Sequence, residues 1–160
     1  MCHTPRRLVV LPDMATRQGQ KGQLRSDPRT TAGWPLTTVV LIHLVISLVH
    51  GAAHAGARVS LTPAGAMFVY IVILAGPLVG LGVSRWRPQP GAWLVACAMA
   101  GALVFGLINH FIIAGADHVS HVAAAWRSLF GVTASLLVVA KAAGTVIGVR
   151  QATRRARRTS

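Results

Sequence analysis

Glutamate is missing from the chain altogether, and only three acids are present, Asp13, Asp27 and Asp117, against 16 Lys+Arg in 160 residues. Without glutamate there is no H-E-x-x-H helix, which excludes that class of zinc protease. Cysteine is almost as scarce. Cys2 falls in a polar tail and Cys97 inside an apolar run, too far apart in depth to form a disulfide. Also missing is any polar stretch between residues 34 and 149 long enough to make a soluble domain.

What the chain has instead is apolar length. Hydrophobic residues make up 53% of it, and they gather in four runs: Trp34 to Ala55, Ala64 to Val83, Gly91 to Ala114 and His118 to Val149. Each is long enough to cross a hydrocarbon layer of ~30 Å as a helix. The connections are short, which makes sequence neighbours antiparallel and predicts an all-α integral membrane protein, a four-helix up-down bundle over residues 34–149. Residues 1–33 are polar, rich in Arg, Gln, Gly and Thr, and read as a disordered basic tail in which Met14 is a second possible start. Residues 150–160 form a second basic tail. Ala53-His54-Ala55 has the small-x-small form of a signal cleavage site, but the full spanning length of the run before it favours a retained helix.

The cations give an orientation. Arg6, Arg7, Arg17, Lys21, Arg25 and Arg29 precede the first run, Arg85 and Arg87 separate the second from the third, and Arg150, Arg154, Arg155, Arg157 and Arg158 follow the fourth. All three groups fall on one side of a four-span bundle, so both termini are expected in the cytoplasm of a cell with a multi-pass inner (plasma) membrane protein. Trp34, Trp86 and Trp93 then mark the inner interface and Trp126 the outer one. The basic tails suit anionic lipid; no interleaved aromatics or basic folded face point to nucleic acid. Lys141, inside the fourth run, is expected to snorkel toward the cytoplasmic side.

Six of the seven histidines lie in the membrane domain. His43, His50 and His54 are spaced by 7 and 4 residues, which places them on one helix face. Counting the rise of a straight helix back from a turn at Gly115, with Asp117 capping the next helix, puts His50, His110 and His121 at one depth and His54, Asp117 and His118 in a layer nearer the water. Neutral imidazole is a common transition-metal ligand, and a carboxylate completes the shell or orients a ring. The expected metal set is therefore His50, His54, His110, Asp117, His118 and His121, on the exoplasmic side, for zinc, copper or iron. The stretch His50-Gly-Ala-Ala-His54 resembles one histidine box of membrane desaturases and hydroxylases over five residues; the paired histidines of that family's other boxes are missing, and no activity is carried over.

Four functions fit these residues. The first is metal handling or metal-assisted redox or hydrolytic chemistry at the cluster. The alternative is a b-type haem protein of the electron-transfer class, with His50 and His110 as axial ligands from different helices. A proton or metal transporter would use the stripe from His43 to His54 as its path. In an accessory membrane protein, the histidines would only bond neighbouring helices. His43 fits that last role best.

Overall fold

The structure is a computed structural model and describes residues 34–159. The tail predicted over residues 1–33, including Met14 and Cys2, lies outside the described residues. The described chain is all-helical, with α1 over Trp34–Gly56, α2 over Pro63–Trp86, α3 over Pro88–Ile112 and α4 over Ala124–Thr159. Four helices, the last counted over Ala124–Arg154, are long and apolar enough to cross a membrane, with mean hydropathy between 1.9 and 2.3.

Local chemistry explains where the helices start and stop. α1 ends in a pair of reverse hydrogen bonds, Val59 N–H to His54 O at 3.1 Å and Arg58 N–H to Ala55 O at 3.2 Å. This is the Schellman arrangement, and it puts Arg58 in the left-handed region at φ 54°. α2 begins with Pro63 in its first turn and Thr62 as N-cap, whose hydroxyl accepts from Gly65 N–H at 3.1 Å. Between α2 and α3 only Arg87 is non-helical, because the following Pro88 forbids it the α conformation. The fourth helix starts at Ala124 rather than His118, so the expected tight turn is an irregular segment over residues 113–123. At the other end α4 continues through the basic segment 150–159 as helix.

Two stretches depart from α-helix. Val69–Ala75 in α2 and Ile108–Ile112 in α3 are π-helical. In the first, Gly76 N–H reaches back five residues to Ile71 O, and the widened turn leads directly into Pro77, which has no N–H to give. In the second, Ile113 N–H reaches Ile108 O at 2.8 Å, and His110 sits in the middle of the widened turn.

α4 packs along both α1 and α3, and α2 packs along α3. Small residues let the backbones approach. A methyl group at Gly80 of α2 would stand 2.6 Å from Val95 Cγ2 and 2.9 Å from Val95 N of α3, and one at Gly148 of α4 would stand 3.0 Å from Ala92 O. Around these contacts Leu36, Val39, Val40, Val95, Met99 and Ala152 form one buried cluster. Large apolar side chains such as Leu41, Val45, Ile71, Val79, Val132 and Val139 face outward. A surface as greasy as the core is what a bilayer solvent calls for.

Candidate metal centre

The last two turns of α1 present His50 and His54, and the π-helical end of α3 presents His110. One ligand atom from each of these three histidines lies within 4.8 Å of the others. Their rings stack edge-on, with centroids 4.8 Å apart for His50 and His54 and 5.0 Å for His50 and His110. Phe130 of α4 is fully buried beneath them, its centroid 4.7, 4.8 and 5.3 Å from the three imidazoles. Trp126 packs with the same cluster and lies against Gly56.

Hydrogen bonds to the back of each ring decide what its front can do. The Thr133 hydroxyl has a single proton to give, and the nearest acceptor is Leu129 O at 2.7 Å, with Phe130 O at 3.1 Å behind it. In that arrangement its lone pair faces His50 Nδ1, 2.8 Å away, and the ring nitrogen carries the hydrogen. His110 Nδ1 lies 3.1 Å from the Asp117 carbonyl, an acceptor only, so this nitrogen is a donor as well. With both Nδ1 atoms protonated, neutral His50 and His110 each turn a bare lone pair from Nε2 toward the other, and the two Nε2 atoms are 3.3 Å apart. Two lone pairs at that distance repel unless a cation lies between them. Two nitrogens bound at about 2.0–2.1 Å to one tetrahedral zinc would stand roughly 3.3 Å apart.

His54 adds a second unfinished contact. Its Nδ1 is 3.3 Å from Asp117 Oδ1, within ion-pair range, yet without hydrogen-bond geometry, and both atoms are buried with no hydrogen-bond partner. The distance shows proximity and the missing geometry shows that no bond satisfies either atom; the two facts together leave a pair of orphaned polar atoms beside the trio. Burial pushes the Asp117 carboxyl above the ordinary carboxylate range, while the nearby His110 ring pulls it the other way. A metal cation beside it would strengthen the downward pull.

The segment over 113–123 is clamped to the centre by α3. His110 accepts from Val119 N–H at 3.1 Å through its backbone carbonyl, one of those a helix end leaves unpaired. His121 Nδ1 lies 2.8 Å from Gly115 O, to which it donates, and His118 Nδ1 bonds Ser120 Oγ at 2.6 Å. Of the six residues predicted as ligands, the structure brings His50, His54 and His110 together, puts Asp117 beside His54, and leaves His118 and His121 in this loop as a neighbouring pair with rings 5.5 Å apart. His43 stands apart from the trio, fully buried, with Nε2 at 3.2 Å from Ser47 Oγ of its own helix.

Two cavities flank the centre and share Asp117 as a wall. One, of about 470 Å³, is lined by loop residues together with Asn109 and Phe68. The other, of about 400 Å³, reaches from Asp117 past all three clustered histidines to Lys141. Lys141 does not snorkel: it is 3% exposed and faces this cavity, because its side chain leaves the stripe of α4 that points inward. Phe130, Thr133, Leu137 and Lys141 are spaced by three, four and four residues, and all four are buried. That stripe was the signal in the sequence for the support that Phe130 and Thr133 give the centre.

Comparison with known protein families, with curated proteins and with solved structures finds no match for this chain. The reading of function therefore stands on the geometry alone.

Proposed function

We propose that the protein is a small inner-membrane protein that binds a first-row transition-metal ion, zinc or copper before iron, through His50, His54 and His110. In this reading the four helices run up and down, both termini are cytoplasmic and the centre opens to the exoplasmic side. The uneven distribution of cations supports that orientation, as do Trp34 and Trp86, 71% and 80% exposed at the expected inner interface. The observation that carries the metal is the facing pair of Nε2 atoms at 3.3 Å with both Nδ1 atoms committed elsewhere. Three neutral imidazoles leave a fourth position open, and Asp117 is placed to orient His54 or to complete the shell. The two cavities meeting at Asp117 supply a route for the ion and space for a further ligand, which suits metal handling or metal-assisted redox or hydrolytic chemistry.

A haem between His50 and His110 is the weaker reading. Axial ligands stand on opposite faces of a macrocycle, whereas these two rings touch, and Phe130 packs against both. A proton shared between the two imidazoles would also relieve the facing lone pairs, but it gives no role to the orphaned atoms of His54 and Asp117.

Elemental analysis of the detergent-purified protein beside its optical spectrum tests the proposal. Stoichiometric metal without a Soret band is expected, lost in His50→Ala and His110→Ala and retained in His43→Ala, His118→Ala and His121→Ala. A metal-free protein that takes up no added zinc or copper, or a metal content indifferent to His50 and His110, would refute it.

A further inference from the structure

Among the described residues Lys141 is the buried cation that the metal centre leaves unexplained. It is 3% exposed, it lines the cavity of about 400 Å³, and no hydrogen bond or ion pair engages its ammonium among the described residues. The groups that face it are His43, His50 and His110, none of which carries negative charge. Asp117 lies on the same cavity wall, with its Oδ1 turned to His54 Nδ1 at 3.3 Å. The other two acids of the chain, Asp13 and Asp27, precede the described residues.

Gly106 of α3 is the gap through which Lys141 approaches the histidines. A methyl group there would meet Lys141 Nζ at 3.3 Å and His110 Cδ2 at 3.9 Å. The ammonium and the ring of a candidate ligand thus stand either side of one absent side chain. A dication at the histidines would share this low-dielectric space with Lys141, with only Asp117 to offset them. Such a concentration of positive charge is stable when an anion enters it.

We infer that the cavity binds an oxyanion group, a carboxylate or phosphate, with one oxygen on the open position of the metal and another accepting from Lys141 Nζ. The inference rests on the metal reading above and names what completes that site. The volume falls within the range of small-molecule pockets. Leu48, Ile73, Leu74 and Leu137 form apolar walls that would also accept an alkyl chain, so the same chemistry suits a free small anion or the headgroup of an amphiphile.

Cobalt(II)-loaded protein in a zwitterionic detergent gives a direct readout, because a new ligand on the ion changes its visible spectrum. Acetate and laurate are titrated into wild type and Lys141→Met, with Lys141→Gln as a second neutral variant should the first not accumulate. The expected result is a saturable spectral change in wild type, weakened by about tenfold or more in the neutral variants while cobalt stoichiometry is unchanged. Laurate binding roughly tenfold or more tightly than acetate assigns an amphiphile headgroup, and equal affinities assign a free anion; either outcome upholds the site. Cobalt bound with a spectrum that acetate and laurate leave unmoved, or move equally with and without Lys141, overturns this inference alone. Wild type that binds neither cobalt nor zinc nor copper overturns the metal reading and this inference with it; wild type that takes up zinc or copper but no cobalt overturns this inference alone if acetate and laurate leave its metal affinity, read by chelator competition, unchanged.

Discussion

At His50 the two ring nitrogens have different tasks. Nδ1 is bonded to the Thr133 hydroxyl, which fixes the tilt of the ring and, with the hydroxyl proton on Leu129 O, its tautomer, while Nε2 faces His110. A ligand held in this way is more basic and better aimed than one left to rotate. Thr133→Val keeps the shape and removes the acceptor, so metal affinity should drop by about 10–100-fold with the ion still bound at saturation. Competition against a chelator of known affinity measures the loss, and Thr133→Ser should recover most of it. The pairing of His50 with His110 was legible from depth alone, and so was the proximity of His54 and Asp117. The bond of Thr133 to His50 was not, since the spacing of Phe130, Thr133, Leu137 and Lys141 marks an inward stripe but carries no mark of what the threonine bonds. Lys141 misled for the opposite reason: charge in a membrane helix is ordinarily drawn to the interface, and only the packing of α3, α4 and Gly106 shows that it stays inside.

Helix ends carry the next level of information. Arg58 occupies the left-handed position of the α1 terminus, where a side chain costs more than glycine does. Arg58→Gly should therefore raise resistance to unfolding by about 1 kcal/mol, read from equilibrium unfolding in mixed micelles. The four helices long and apolar enough to span a membrane could be read from run length, because ~20 apolar residues have few other uses. Their bounds were less legible. Gly115 and Asp117 have the chemistry of a helix stop and a helix start, yet here they belong to a segment tied back onto His110 by Val119 and braced by His121. The π-helical turns were not legible either. Where core and lipid are equally apolar, no period in the sequence records that a turn has widened.

For the molecule as a whole, orientation is the first thing to establish. With the termini cytoplasmic, a cysteine at Arg58 should react with a membrane-impermeant maleimide in intact spheroplasts, and one at Arg87 only after lysis, both in a cysteine-free background. The reverse pattern would turn the histidine cluster toward the cytoplasm. α4, at 36 residues, measures roughly 54 Å, well beyond the ~30 Å of a hydrocarbon layer, so in a bilayer its arginines would continue the rod past the lipid instead of trailing from it. The two helices that supply the histidines, α1 and α3, are each packed along this rod. An ion gripped by His50 and His110 would join them directly and act as a rivet across the fold. Heat tolerance should then follow the free metal concentration, gaining about 4 kcal/mol at a thousandfold excess over the dissociation constant, and chelation should lower the melting temperature of wild type but not of His110→Ala. A cell short of the ion would hold a looser copy of this protein than a cell well supplied, and the turnover of the chain would report on the metal it carries.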